Sequence, residues 1–204
     1  LKEQQPGKQA ESQARDMDFF FDGEQYLLRA VATGAAKARS LEKDGPRELA
    51  AERVEALYTP SPQGSNLQSA TTQGRTTLKM IEQDEKKPEK AAERVLEADG
   101  VQTSFQADGK FLQRAEAAGN AVLVITPLHM TPKTDRQRLS AAKFTVDYFE
   151  KGNAIKSFVA DGEALAEFEP LLPSVAPAQD NQSKVKTEKR PKRTLRSQKM
   201  TAHL

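Results

Sequence analysis

The chain repeats itself, and each repeat turns on a glycine. An aliphatic residue seven positions before a glycine and an apolar residue four before it return four times: Leu27, Ala30, Gly34; Leu67, Ala70, Gly74; Leu112, Ala115, Gly119; Ile155, Phe158, Gly162. The glycines lie 40, 45 and 43 residues apart. A second pattern sits upstream of three of them: Leu49, Ala51, Val54, Ala56, Tyr58; Leu96, Ala98, Val101, Phe105; Leu139, Ala141, Phe144, Val146, Tyr148. It returns a last time as Leu195, Ser197, Met200, Ala202, Leu204. Self-similarity at 40 to 45 residues marks an architecture of stacked units, each of which buries its apolar face only against neighbours. Function in such a protein belongs to a long continuous surface, not to a compact catalytic point.

Composition agrees with a thin protein. Apolar residues make up 37% of 204, aromatics 6%, and there is no Trp. The chain is long enough to bury a core, but this is a lean supply for a tightly packed one. No apolar run reaches the length of a membrane span, so none is expected. The absence of Cys rules out disulfides and thiolate metal sites and fits the cytosol or the periplasm. The chain opens on Leu1, and its last repeat is cut in half at Leu204. Both features lead to the expectation of a segment of a longer, processed protein whose targeting sequence lies elsewhere.

Residues 1–16 are polar and read as a disordered lead-in. Residues 17–168 hold the repeats, opened by Phe19, Phe20, Phe21 and a turn at Asp22-Gly23. Residues 41–47 read as a turn, and residues 59–66 and 82–90 as loops. Asp108-Gly109 and Lys151-Gly152-Asn153 are hairpin signals, and the Gly-Asn and Asp-Gly pairs generally read as hairpin turns. Thr126-Pro127 and Thr131-Pro132 mark a further connection. Residues 169–193 are rich in Pro and Lys and read as a long mobile insertion. Residues 194–204 begin a further, truncated repeat.

Local propensity and repeat logic conflict over secondary structure. Residues 47–58 are rich in Ala, Glu, Leu and Arg and look helical. Their equivalent, Lys143-Phe144-Thr145-Val146-Asp147-Tyr148-Phe149, alternates in and out with β-branched and aromatic residues. Equivalent units share one structure, and the hairpin signals and short apolar runs decide for strands. The apolar spacing slips from two to three between Ala51 and Val54, and again between Ala141 and Phe144. Such a slip predicts a bulge or corner. A corner at the same place in every unit folds each strand pair around a shared interior. The expected fold is therefore all-β.

These residues resemble the OstA/LptA family of periplasmic lipopolysaccharide-transport domains. Its copies run aliphatic, Ala, charged pair and Tyr, then a turn, an aliphatic run and a Gly-Asn/Asp-Val motif. The matches are Leu139-Ser140-Ala141-Ala142-Lys143 to Tyr148, Gly119-Asn120-Ala121-Val122, and Ala160-Asp161-Gly162-Glu163-Ala164. The resemblance covers residues 17–168 and 194–204. It implies an open β-jelly roll of stacked antiparallel strand pairs with an apolar groove. It also implies lipopolysaccharide acyl chains as ligand, a periplasmic location, and end-to-end joining with neighbouring copies or other bridge proteins by strand-edge addition.

The groove candidates are Leu67, Leu112, Val122, Val124, Phe144, Val146, Ile155 and Phe158, which in a closed fold are core and nothing more. The basic run Lys184, Lys186, Lys189, Arg190, Lys192, Arg193, Arg196, Lys199 contains one acid, Glu188. Without it, the 31 basic and 29 acidic residues fall to 23 and 28, so the positive balance is local. The first six of these cations are candidates for headgroup contact. A solvated loop is the plain alternative; nucleic acid is disfavoured, because no aromatics are interleaved to stack bases. Enzyme signals are poor. His129 and His203 have no partner at metal-pair spacing, and there is no phosphate loop. No catalytic residue, metal or cofactor is expected. Two rivals stay open: a dry-cored structural β-solenoid of an envelope or surface protein, and a helical protein that binds an acidic partner through its basic tail.

Overall fold

The computed structural model describes residues 2–5, 8–23, 26–42, 45–62, 64–82, 91–131, 134–151, 154–171 and 191–203. Among them there is no helix. The strands are β1 (Lys2–Gln5), β2 (Lys8–Gln13), β3 (Asp16–Phe21), β4 (Leu27–Glu42), β5 (Gly45–Ser61), β6 (Gly64–Gln73), β7 (Thr76–Glu82), β8 (Ala92–Ala98), β9 (Gly100–Phe105), β10 (Leu112–Pro127), β11 (Asp135–Tyr148), β12 (Ile155–Pro170) and β13 (Arg193–His203). They form one 13-stranded antiparallel sheet. The helical propensity of residues 47–58 is overridden: β5 runs through them, paired with β4 on one side and β6 and β7 on the other.

The sheet is folded along a line of corners into two leaves. Leaf A runs β1-β2-β4-β5-β7-β8-β10-β11-β12-β13, and leaf B runs β3-β4-β5-β6-β9-β10-β11-β12-β13. Each long strand gives one arm to each leaf, and the pairs β2/β3, β6/β7 and β8/β9 do the same as interrupted strands. The corners fall at Arg15, Gly34, Glu52, Gly74, Asp99, Gly119, Ala142, Gly162 and Gln198. At β4, β10 and β12 the corner is a left-handed pair: Gly34-Ala35 (φ 81°, 54°), Gly119-Asn120 (76°, 50°) and Gly162-Glu163 (79°, 54°). The ladder therefore slips there, from Thr33 to Ala36, Ala118 to Ala121 and Asp161 to Ala164. Gly119-Asn120 and Asp161-Gly162 are thus mid-strand corners, not the hairpin turns their composition predicts. Asp108-Gly109 does turn a hairpin, with the Gly109 N–H donating to Gln106 O and the Lys110 N–H to Asp108 Oδ1.

The repeat has a steric cause. A Cβ at Gly34, Gly74, Gly119 or Gly162 would lie within 3 Å of Arg15, Glu52, Asp99 or Ala142, the corner residue of the preceding strand. Corners stack, and alternate strands carry no side chain so that the line can close. A second irregularity recurs six residues before each glycine. Leu28, Gln68, Gln113 and Lys156 are skipped in pairing with the neighbouring strand. This bulge reverses the in-out alternation, which is why the apolar residues at minus seven and minus four both face inward.

Several boundaries differ from expectation. The polar lead-in is strand: β2 pairs with β4 from Gln9↔Leu41 to Gln13↔Lys37. Its residues lack apolar alternation, but backbone pairing to an exposed edge needs none. The loop read at 59–66 is a tight hairpin, with Pro60↔Ser65 and Ser61↔Gly64 paired. Within the turn read at 41–47, Leu41↔Pro46 and Glu42↔Gly45 are paired as strand, and residues 43 and 44 lie outside the described residues. Pro170 and Arg193 close strands rather than lie in an insertion, and residues 172–190, 83–90, Gly152, Asn153 and Leu204 lie outside the described residues.

Candidate functional site

The two leaves enclose a trough whose floor is the line of corners. Ala36, Thr76, Ala121 and Ala164, each two residues past a corner glycine, are 2%, 0%, 0% and 1% exposed. Small side chains are required where the leaves meet. Thr76 replaces alanine with a satisfied hydroxyl, bonded to Thr72 Oγ1 and to Gly74 O. Around this floor Ala98, Ala117, Ala121, Ala141, Phe144, Ala160 and Ala164 form one packed cluster. The Phe144 and Phe158 rings meet there at 5.4 Å.

Further from the floor the interior opens. On leaf A, Leu49, Leu78, Leu96, Leu123 and Leu139 are successive cross-strand partners, a row of leucines crossing β5, β7, β8, β10 and β11. None of them is buried. Facing them on leaf B is the row Ala30, Ala56, Ala70, Thr103, Ala115, Val146, Phe158. Large side chains opposite small ones leave space, and the leucines stay part-exposed because nothing among the described residues covers them.

Six of the eight groove candidates face this trough. Leu67 pairs with Tyr58, Leu112 with Phe105, Ile155 with Tyr148, and Val146 with Phe158. Phe144, 3% exposed, is the one that is buried; Leu67, Leu112, Val146, Ile155 and Phe158 are part-exposed. Val122 and Val124 are a correction. Ala121 is fully buried and Leu123 packs on the cluster, so the alternation turns Val122 and Val124 to the outer face. There they share a shallow groove with Glu93, Val95, Glu97, Arg136 and Arg138. The leucine row was missed as a site. Its signal was the position four past each corner glycine, which in β7 and β10 is Leu78 and Leu123.

The outer faces belong to water. Glu55 is flanked by Arg29 and Arg53, Glu116 by Lys143 and Arg114, and Glu167 by Lys192 and Arg138. Hydrogen bonds from Arg53 and Arg29 lower the Glu55 carboxyl pKa, and those from Lys143 and Arg114 lower that of Glu116. Of the headgroup candidates, Lys184, Lys186, Lys189 and Arg190 lie outside the described residues. Lys192 is held at 2.6 Å by Glu167. Arg193 is bound at 2.6 Å by Asp135 and stacks on Phe168, so these two are fixed against the sheet.

Tyr148 stands inside the mouth of leaf B. Burial raises its phenol pKa above the ordinary value near 10, opposed by the nearby charges of Arg94 and Arg47. A raised folded pKa contributes stability that is full below pH 10 and lost as the pH climbs through the folded value. Tyr148→Phe is therefore expected to reduce the loss of stability above pH 10, measured as denaturant midpoints from pH 8 to 11. An unchanged profile would contradict the burial of this phenol.

His129 and His203 are exposed. Among the described residues no group of three His, Asp or Glu is placed to hold a metal ion, and no helix is long and apolar enough to cross a membrane. No family model, no curated protein and no solved structure matches the chain.

Proposed function

We propose that this chain is a lipid-handling bridge module. In this reading the open trough of a β-jelly roll carries the acyl chains of lipopolysaccharide, or a related amphiphile, across the periplasm toward the outer membrane. The observation that carries it is the leucine row: five large aliphatic side chains side by side, turned inward and still part-exposed. A soluble fold that leaves such a stripe uncovered has a use for it. Ten methylenes laid against it are worth on the order of 8 kcal/mol before the cost of immobilisation. The lipopolysaccharide assignment rests on the sequence resemblance. The rival dry-core β-solenoid draws on the packed cluster at the floor, where Ala121, Ala160 and Ala164 admit nothing.

Native mass spectrometry separates the two. The bridge reading expects protein carrying amphiphile adducts, removed by delipidation and restored by added lipopolysaccharide. A clean mass that added lipopolysaccharide leaves unchanged favours the dry-core solenoid.

Bridging also needs ends that join. In leaf B the sheet ends at β3 on one side and β13 on the other, and both offer unpaired backbone groups. On its leaf B arm β13 carries Lys199, and β3 carries Asp16 and Asp18. Unlike ends that pair head to tail give open chains of subunits. Light scattering is expected to show mass rising with concentration, reduced by 1 M salt and abolished by deleting residues 194–204. A constant monomer, with or without that deletion, would count against edge-to-edge bridging.

A further inference from the structure

We propose that the trough tapers and is closed at one end, with Phe158, backed by Phe144, as the stop that sets how long an acyl chain it takes. This rests on the acyl-binding reading and names the chain length of its ligand. The taper shows at equivalent positions. Two residues before the corner glycines stand Ala32, Thr72, Ala117 and Ala160. Thr72, Ala117 and Ala160 are buried, at 7%, 4% and 1% exposure. Ala32, in the same place on β4, is part-exposed, although β3 and β5 flank it on either side. Side-chain size explains the difference. The inward residues of β4 near the floor are Ala30, Ala32, Ala36 and Ala38, with Ser40 above them, so no large side chain reaches across until Leu27 at the mouth. Leu49, the first of the leucine row, pairs with Ala38, and the row therefore ends at β4 on a gap.

Toward β12 the leaves come together. The packed cluster takes its members from β8, β10, β11 and β12, and the side chains packed against it come one from each of β8 to β13. Phe144, 3% exposed, fills the floor between its cross-strand partners Ala117 and Ala160. Phe158 stands one level higher, its ring 5.4 Å from that of Phe144. The facing row of leaf B runs Ala30, Ala56, Ala70, Thr103, Ala115 and then enlarges to Val146 and Phe158. Its five small residues span four strand spacings, about 19 Å, the length of an extended palmitoyl chain. A methylene chain laid there gains with each carbon it buries until its end meets the rings, and gains nothing beyond them.

The test measures displacement of a fluorescent fatty-acid probe from the full chain by saturated fatty acids of increasing length, each below its micelle threshold. For wild type, affinity is expected to rise at least about tenfold from decanoic to hexadecanoic acid and to rise no further at eicosanoic acid. Phe158→Ala removes the stop. Eicosanoic acid is then expected to bind at least about threefold more tightly than hexadecanoic acid, while decanoic acid binds as before. Phe158→Leu is shorter than the ring and is expected to shift the plateau in the same direction; it carries the test if the Ala variant does not fold. Ala38→Leu fills the gap at β4 and is expected to move the plateau down to dodecanoic acid. A purely structural role for these residues would move stability and leave the plateau in place. Affinity that climbs on to eicosanoic acid in wild type, or a plateau unmoved in the folded Phe158 and Ala38 variants, overturns the stop and leaves the trough standing. Failure of the probe to bind, or of every acid to displace it, sinks the acyl-binding reading itself.

Discussion

Replacing Gly162 with valine is expected to lower the melting temperature by about 10 °C. Gly162 has φ 79°, and a Cβ built on it lies 2.7 Å from the Cβ of Ala142. The left-handed conformation costs an ordinary residue about 1–2 kcal/mol, and a β-branched one more. The clash adds to this, because the atom it meets is fixed to backbone. At Gly74 the obstacle is the Glu52 carboxyl end, which swings away. A total of about 3–4 kcal/mol, at about 2–4 °C per kcal/mol for a chain of this size, gives the expected shift. Ala142→Gly in the same chain is expected to recover part of it, since the two positions share one contact. Gly23→Ala is the control: nothing lies within 4 Å of the new methyl. Equal melting temperatures for Gly162→Val and Gly23→Ala would mean that stacked corners do not govern this fold.

The second large effect separates two neighbouring residues. Leu123→Asp is expected to abolish lipid capture and to cost several kcal/mol of stability, because it places an unpaired carboxylate in the leucine row. Val124→Asp, one residue later, points to the outer groove beside Arg138, its partner on β11. It is expected to leave lipid capture unchanged and to shift stability by less than about 1 kcal/mol. Lipid co-purification and thermal melts on the two variants decide it. Comparable losses from both would contradict the assignment of faces.

The interior was legible in the repeat itself. Leu49, Ala51, Val54, Ala56 and Tyr58, with their equivalents around Ala98 and Ala141, all face the trough, and the spacing slip inside each group marks the corner. Val122 and Val124 were misread for a physical reason. Ala121 to Ile125 is apolar at every position, so its alternation is invisible without a reference residue. The buried Ala121, two past Gly119, is that reference. Strands β1 and β2 were illegible because the Gln, Lys and Glu residues there carry no pattern; their pairing comes from the edge that β4 offers. Corners at Gly119-Asn120 and Asp161-Gly162 share composition with hairpin turns, since both need left-handed backbone. What distinguishes them is position: they recur between two apolar arms of one strand. The face of Arg47 and of Arg94 was likewise hidden. Arg47 and Arg94 read as ordinary charges on segments rich in charge, and their face emerges only from the register with Met80.

In the proposed reading the inner face between the leaves, and not the outer one, holds an acyl chain. A photo-crosslinking amino acid placed in turn at positions 121 to 126 of β10, in the presence of lipopolysaccharide, tests it most directly. Crosslinks are expected at 123 and 125, none at 122, 124 and 126, and few at the packed floor position 121. Crosslinks of equal strength along the run, or a maximum at 122 and 124, would contradict it.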